Sequence, residues 1–120
     1  MIWQTTRFRL DLRRPQVMGI VNITPDSFSD GGQHASTEHA IRHCDALLEQ
    51  GADLLDLGGE STRPGSLPLS AQEELARVLP VLRHAVTLGV PVSVDTNKAE
   101  VMRAVLDGGA DIINDVWTLR

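Results

Sequence analysis

The feature that most restricts the fold of this chain is a hexapeptide that occurs twice. Gly51-Ala52-Asp53-Leu54-Leu55-Asp56 returns as Gly109-Ala110-Asp111-Ile112-Ile113-Asn114. Each copy joins a helix stop, a turn and a short apolar strand that ends in a polar side chain. A recurring unit of this kind implies a repeating βα architecture. Buried parallel strands linked by crossover helices form either a (β/α) barrel or a doubly wound sheet. No Gly-x-Gly-x-x-Gly follows the first apolar strand, which disfavours the dinucleotide-binding form of the second.

Periodicity places the elements between these units. Residues 2–12 alternate, with Phe8, Leu10 and Leu12 against Arg7, Arg9 and Asp11, as one arm of a small hairpin does. Val17 to Val21 reads as a buried strand ending at Asn22. Residues 24–36 form a loop rich in Thr, Pro, Asp, Ser and Gly, and Ser36 is read as the cap of a helix carrying Ile41, Cys44 and Leu48. Gly51 ends that helix and Leu54 to Leu57 is the next strand. A second loop runs from Gly58 to about Leu69. Ser70 and Glu73 then form a capping box for a helix with Leu75, Val78, Leu79, Leu82 and Val86 on its apolar stripe and Pro80 inside it. Gly89 closes it. Val90 to Val94 is a third strand, Asn97 with Glu100 is read as the cap of a third helix, and Ile112 opens a fourth strand.

Composition removes several classes of function. Acidic residues outnumber basic ones 16 to 11, and the bases are scattered, so a nucleic-acid partner is not expected. No apolar run approaches the roughly 18 residues that span a bilayer, and residues 1–15 lack the core of a secretory signal. A single cysteine, Cys44, allows no internal disulfide and fits a cytoplasmic protein.

Four strands end in a polar residue: Asn22, Asp56, Asp95 and Asn114. Ligands of parallel α/β folds bind at the carboxyl ends of the strands, so these groups are expected to converge on one rim. A strand-end Asp or Asn taken singly more often caps the next helix. Together, two carboxylates and two amides can read a flat, nitrogen-rich heterocycle, since carboxylates accept from ring N–H groups and amides both donate and accept. The loop after the first strand, Thr24 to Gly32, adds oxygen donors suited to a hard cation such as Mg²⁺. The loop after the second, Gly59 to Gly65, carries Arg63, which can grip an anion bidentately. Solvated turn chemistry explains either loop as well on composition alone. His39 and His43 stand four apart like a zinc pair, but no third ligand is evident and they read as a solvated flank. Cys44 reads as core. Asp53 and Asp111 precede their strands, belong to the opposite rim and read as structural.

At this point a family resemblance is visible. Met18-Gly19-Ile20-Val21-Asn22-Ile23-Thr24-Pro25-Asp26-Ser27-Phe28-Ser29-Asp30-Gly31-Gly32 resembles the first signature of the dihydropteroate synthases, and Gly58-Gly59-Glu60-Ser61-Thr62-Arg63-Pro64-Gly65 resembles the second. Ser93-Val94-Asp95-Thr96 and Ile112-Ile113-Asn114-Asp115 are similar to the family's third and fourth strands. The resemblance implies a TIM (β/α)8 barrel of folate synthesis, a homodimer when complete. It joins 6-hydroxymethyl-7,8-dihydropterin pyrophosphate to 4-aminobenzoate, giving 7,8-dihydropteroate and pyrophosphate. It implies that Asn22 and Asp30 hold Mg²⁺, that Asp95 and Asn114 bind the pterin edge, and that Asp56 lies behind them in support. Asp95 would also stabilise the cationic pterin methylene as the catalytic carboxylate. Phe28, Thr62, Arg63 and Pro64 would shape the aminobenzoate site, where sulfonamides compete.

A TIM barrel runs to about 250 residues and eight strands. Four parallel strands and three helices are expected here, with residues 1–15 as an N-terminal β-hairpin and 16–120 as the first half of a pterin-binding barrel. The family's later Asp, Lys and Arg-x-His have no counterpart in this sequence. The 120 residues alone are therefore expected to show little or no synthase activity. A short product that assembles with a partner, or another pterin-binding barrel such as a methyltetrahydrofolate methyltransferase domain, are the alternative readings. The complete loop from Thr24 to Gly32 argues against the last.

Overall fold

A computed structural model describes residues 2–4, 9–11, 16–23, 32–59 and 70–114. Strands β1 (Ile2–Gln4) and β2 (Arg9–Asp11) pair antiparallel, with Trp3 opposite Leu10. The alternation expected at Arg7, Phe8 and Leu12 lies outside the described residues. A second sheet contains β3 (Met18–Asn22), β4 (Leu54–Gly58), β5 (Val92–Asp95) and β6 (Ile112–Asn114), all parallel and in sequential order. The crossovers are α1 (Gly32–Glu49), α2 (Ala71–Ala85) and α3 (Ala99–Asp107). α1 packs on α2 and α2 on α3. A doubly wound sheet reverses its strand order at a switch point. This one does not reverse, so the described strands follow barrel winding.

Strand register explains which residues are buried. Val21, Leu57, Val94 and Ile113 form one row across the sheet. They face the helices and, apart from the half-buried Ile113, are fully enclosed with Leu55, Val78, Val81, Leu82, Val92, Val101 and Val105. Cys44 lies in this core, where burial pushes its thiol up to about 11. Gly19 is on the same side. A side chain there would meet Leu47 at 3.0 Å, so its absence lets α1 approach the sheet. The opposite face carries Met18, Ile20 and Asn22, all exposed.

The repeated hexapeptide has a concrete function in the fold. Asp53 Oδ2 accepts from the Val17 backbone N–H at 2.7 Å, and the Asp53 N–H donates to the Val17 carbonyl at 2.7 Å. Asp111 repeats the arrangement on Val92, at 2.9 and 2.8 Å. Each aspartate thereby clamps the start of its own strand to the start of its neighbour. Between the two copies Pro91 takes the aspartate's place and offers only its carbonyl, to the Leu55 N–H at 3.1 Å. The glycines that open the three turns, Gly51, Gly89 and Gly109, have φ of +105°, +77° and +105°, a conformation that side chains rarely adopt.

Most expected boundaries hold, and the capping box is formed. Ser70 Oγ accepts from the Glu73 N–H at 3.1 Å, while the Ser70 N–H donates to the Glu73 carboxylate at 3.3 Å and holds its pKa below the ordinary value. Pro80 sits inside α2, which continues to Ala85. Two caps differ from expectation. α1 begins at Gly32, so Ser36 lies a turn inside it and is no cap; a hydroxyl can sit within a helix as well as start one. α3 is preceded by Lys98, with no side-chain cap, because an ammonium has no acceptor to offer the free N–H groups and the exposed Asn97 is one residue further out.

The clamps predict unequal sensitivity. Asp111 is part-buried and Asp53 is exposed. Asp111→Ala should cost about 2 kcal/mol in urea denaturation, the scale of a lost charged hydrogen bond, and Asp53→Ala distinctly less. Equal losses would contradict this ranking.

Candidate functional site

The register builds the site. Asn22 is opposite Gly58, Gly58 opposite Asp95, and Asp95 opposite Asn114. Three of the four polar strand ends therefore share one row at the carboxyl rim. The fourth, Asp56, leaves the row in which the strand-end reading put it and takes the deeper place that the family resemblance implied. It lies two residues back, in the row of Ile20, Ser93 and Ile112, and Gly58 takes its place at the rim. Strand β4 is simply longer at this end than the apolar run Leu54 to Leu57 suggested. Because side chains alternate, Asp56 faces the same side as the rim residues, one layer deeper.

That depth sets its chemistry. Asp56 is 6% exposed, while Asp95 and Asn114 are half-buried and Asn22 is exposed. Burial raises the Asp56 pKa, and hydrogen bonds from Ser93 and then Asn114 oppose the rise. Ser93 Oγ donates to Asp56 Oδ1. An ionised carboxylate can only accept, so Asn114 must donate to it through the amide NH₂. The Asn114 amide oxygen is then what remains to accept from a bound molecule. Asp95 also accepts only. The two half-buried rim groups thus favour a ligand edge that presents N–H donors.

Ser93 was not singled out in the sequence. Its signal was there: it stands two residues before Asp95 on the same strand, hence on the same face. Behind the row, the Thr96 N–H donates to the Asn114 carbonyl at 3.1 Å, and Thr96 Oγ1 accepts from the Lys98 N–H at 3.3 Å. The β5–α3 turn is therefore tied to β6. Phe28, Asp30, Thr62, Arg63 and Pro64 lie outside the described residues.

The other candidates have ordinary surroundings. His39 and His43 are exposed, with rings near parallel at 6.3 Å. No group of three or more His, Cys, Asp or Glu that could hold a metal occurs among the described residues. Among them, too, no helix is long and apolar enough to cross a membrane. Gly58 stands between Asn22 and Asp95 in the rim row. A Cβ built there would lie 3.9 Å from Asn22 Oδ1 and 3.8 Å from Asp95 Cβ, so the missing side chain leaves a gap between these residues.

Asp56 also gives a pH signature. Its folded pKa stands above the unfolded value, so the native state holds this proton more tightly. The associated stability is present below the unfolded pKa and is lost as pH rises through the folded one. Asp56→Asn, which keeps an acceptor for Ser93, should remove that loss. The melting temperature of the variant relative to the native protein should climb through this window and then level off. A pH-independent difference would show that Asp56 titrates normally.

Comparison with known proteins places this geometry. The Pterin binding enzyme family model matches residues 18–120. The chain is 52% identical over 120 residues to a dihydropteroate synthase of Neisseria meningitidis serogroup C, covering 98% of this chain and 42% of that protein. The structure of Xanthomonas albilineans dihydropteroate synthase with 4-aminobenzoic acid is similar at a TM-score of 0.90 and 55% identity, over 99% of this chain and 45% of that one. Burkholderia cenocepacia dihydropteroate synthase complexed with 7,8-dihydropteroate aligns at 0.84 and 48%, over 99% and 39%. The chain thus spans about two fifths of the length of these relatives, and its strands correspond to the amino-terminal part of their barrel. With a match that runs from the start of β3 through every element of the parallel sheet, the chain belongs to the pterin binding enzyme family.

Proposed function

We propose that this chain contributes the pterin-binding strand ends of a dihydropteroate synthase. The reaction joins 6-hydroxymethyl-7,8-dihydropterin pyrophosphate to 4-aminobenzoate and releases pyrophosphate. The observation that carries the reading is the Ser93–Asp56–Asn114 network beneath Asp95. It leaves acceptors at the rim, and the aminopyrimidinone edge of a pterin offers N–H donors to meet them. In this reading residues 1–15 are an N-terminal hairpin and 16–120 the first half of the barrel. The full activity is proposed for a protein of the relatives' length.

Each described residue then has a task. Asp95 accepts from the pterin ring and fixes its plane. Its negative charge also stabilises the cationic character that develops on the pterin methylene as pyrophosphate departs. Asn114 accepts from the same edge, held in one amide orientation by Asp56. Ser93 keeps Asp56 solvated while water is excluded. The amine of 4-aminobenzoate attacks the methylene and loses a proton, and Phe28, Thr62, Arg63 and Pro64 are proposed to shape its site.

The Asn22–Gly58–Asp95 corner fits a hard cation that arrives with a phosphate substrate. Its donors are oxygens, and Mg²⁺ commonly takes only one or two protein ligands while keeping water and phosphate. Asn22 would hold it, with Asp30 as the proposed second ligand. When bound, the ion neutralises charge on the leaving pyrophosphate.

Fluorescence titration with 6-hydroxymethylpterin tests the reading. Asp95→Asn should weaken binding about 10- to 100-fold, the range of a lost charged hydrogen bond, while the thermal transition persists. Affinity equal to that of the native protein would remove Asp95 from the pterin site.

A further inference from the structure

One buried charge has no task in the scheme above. Glu74, in the first turn of α2, is fully buried, and Lys98 Nζ donates to its Oε1 at 2.8 Å. Its Oε2 is also buried and has no hydrogen-bond partner among the described residues. As a device for stability this is a poor one. Desolvating a carboxylate offsets most of the attraction to its partner, and the bare oxygen adds a penalty of its own. An apolar pair of similar volume would serve a core at least as well.

The position of the pair is more informative. Lys98 ends the turn that starts at Asp95, and it stands where α3 would normally have a capping side chain. The turn is held at three points: the Thr96 N–H on Asn114, the Lys98 N–H on Thr96 Oγ1, and the Lys98 ammonium on Glu74. Glu74 also abuts the end of β4. A Cβ on Gly59 would fall 3.4 Å from Glu74 Cγ and 2.8 Å from Val78 Cγ2, and Arg77 Nη1 donates to the Gly59 carbonyl at 3.0 Å. The first turns of α2 thus touch the residue after β4 on one side and the residue before α3 on the other. The start of α2 joins two neighbouring strand ends of the rim, through Arg77 on Gly59 and the Glu74 carboxylate on Lys98.

We infer that Glu74 and Lys98 are positioning residues, which set the Asp95 turn against the end of β4 and thereby set affinity for the pterin ring. The choice of ligand rests on the proposed function; the holding of the turn does not. A lysine is suited to the role because its long stem packs while its ammonium reaches a fixed point.

The test replaces the pair rather than breaking it, since a lone buried charge would unfold the protein for trivial reasons. The double variant Glu74→Met/Lys98→Met should fold with a melting temperature at or above that of the native protein. It should bind 6-hydroxymethylpterin about tenfold more weakly, and the Thr96 amide should exchange with solvent about tenfold faster. Lys98→Arg in the native background, which keeps the charge and its Glu74 partner, should retain most of the affinity. A folded double variant with native affinity and native Thr96 exchange would overturn the inference. So would a double variant that fails to fold, because the pair would then be a stability element. If the native protein itself does not bind the pterin, the proposed function fails, and Thr96 exchange alone still decides whether the pair holds the turn.

Discussion

Strand register governs everything the rim can do, and two aspartates at the far end of the sheet secure it. Asp53 and Asp111 each exchange two hydrogen bonds with the first residue of the preceding strand or its flank, Val17 and Val92. A slip by one residue would turn every side chain to the other face. Asn22, Asp95 and Asn114 would then face the helices, and Val21, Val94 and Ile113 would face the rim. The apolar rows oppose the same slip, since only one register buries Leu57 and Val94 together beneath α2. Core and site are thus two readings of a single alignment.

Much of this could be read from the residues because parallel strands announce themselves as short apolar runs with a polar end. The doubled hexapeptide located both the turns and the aspartate clamps, and the structural reading of Asp53 and Asp111 agrees with their observed bonds. The capping box at Ser70 is a local contact and needed nothing beyond Ser70 and Glu73. Long-range competition was not legible. Lys98, and not Asn97, precedes α3, and its ammonium is bonded to Glu74, 24 residues away in sequence. The apolar run alone put Asp56 at the rim, because Gly58 carries no hydrophobic signal and the strand looked shorter than it is; its deeper place came only from the family resemblance. The notion of one converging rim survived, with Gly58 rather than Asp56 in the row.

The two carboxylates of the site illustrate how burial assigns roles to the same functional group. Asp95 is half-buried and able to meet a ligand. Asp56 is nearly enclosed, and its ionised form depends on two donors from adjacent strands. Those donors are spent inward, so Asp56 acts by orienting Asn114. Gly58 between Asn22 and Asp95 leaves that point of the rim row without a side chain.

The two clamps also differ in the length of chain that each must close. Asp53 reaches back 36 residues to Val17, whereas Asp111 reaches back 19 to Val92. Loop-closure entropy grows with the logarithm of length, so the longer closure costs about 0.6 kcal/mol more. It is also the more exposed bond. After a local opening, the β5–α3–β6 unit re-forms against the smaller entropic barrier, whereas β3 regains its place only by closing the longer connection. Asn22 ends β3, so its place in the rim row depends on that longer closure.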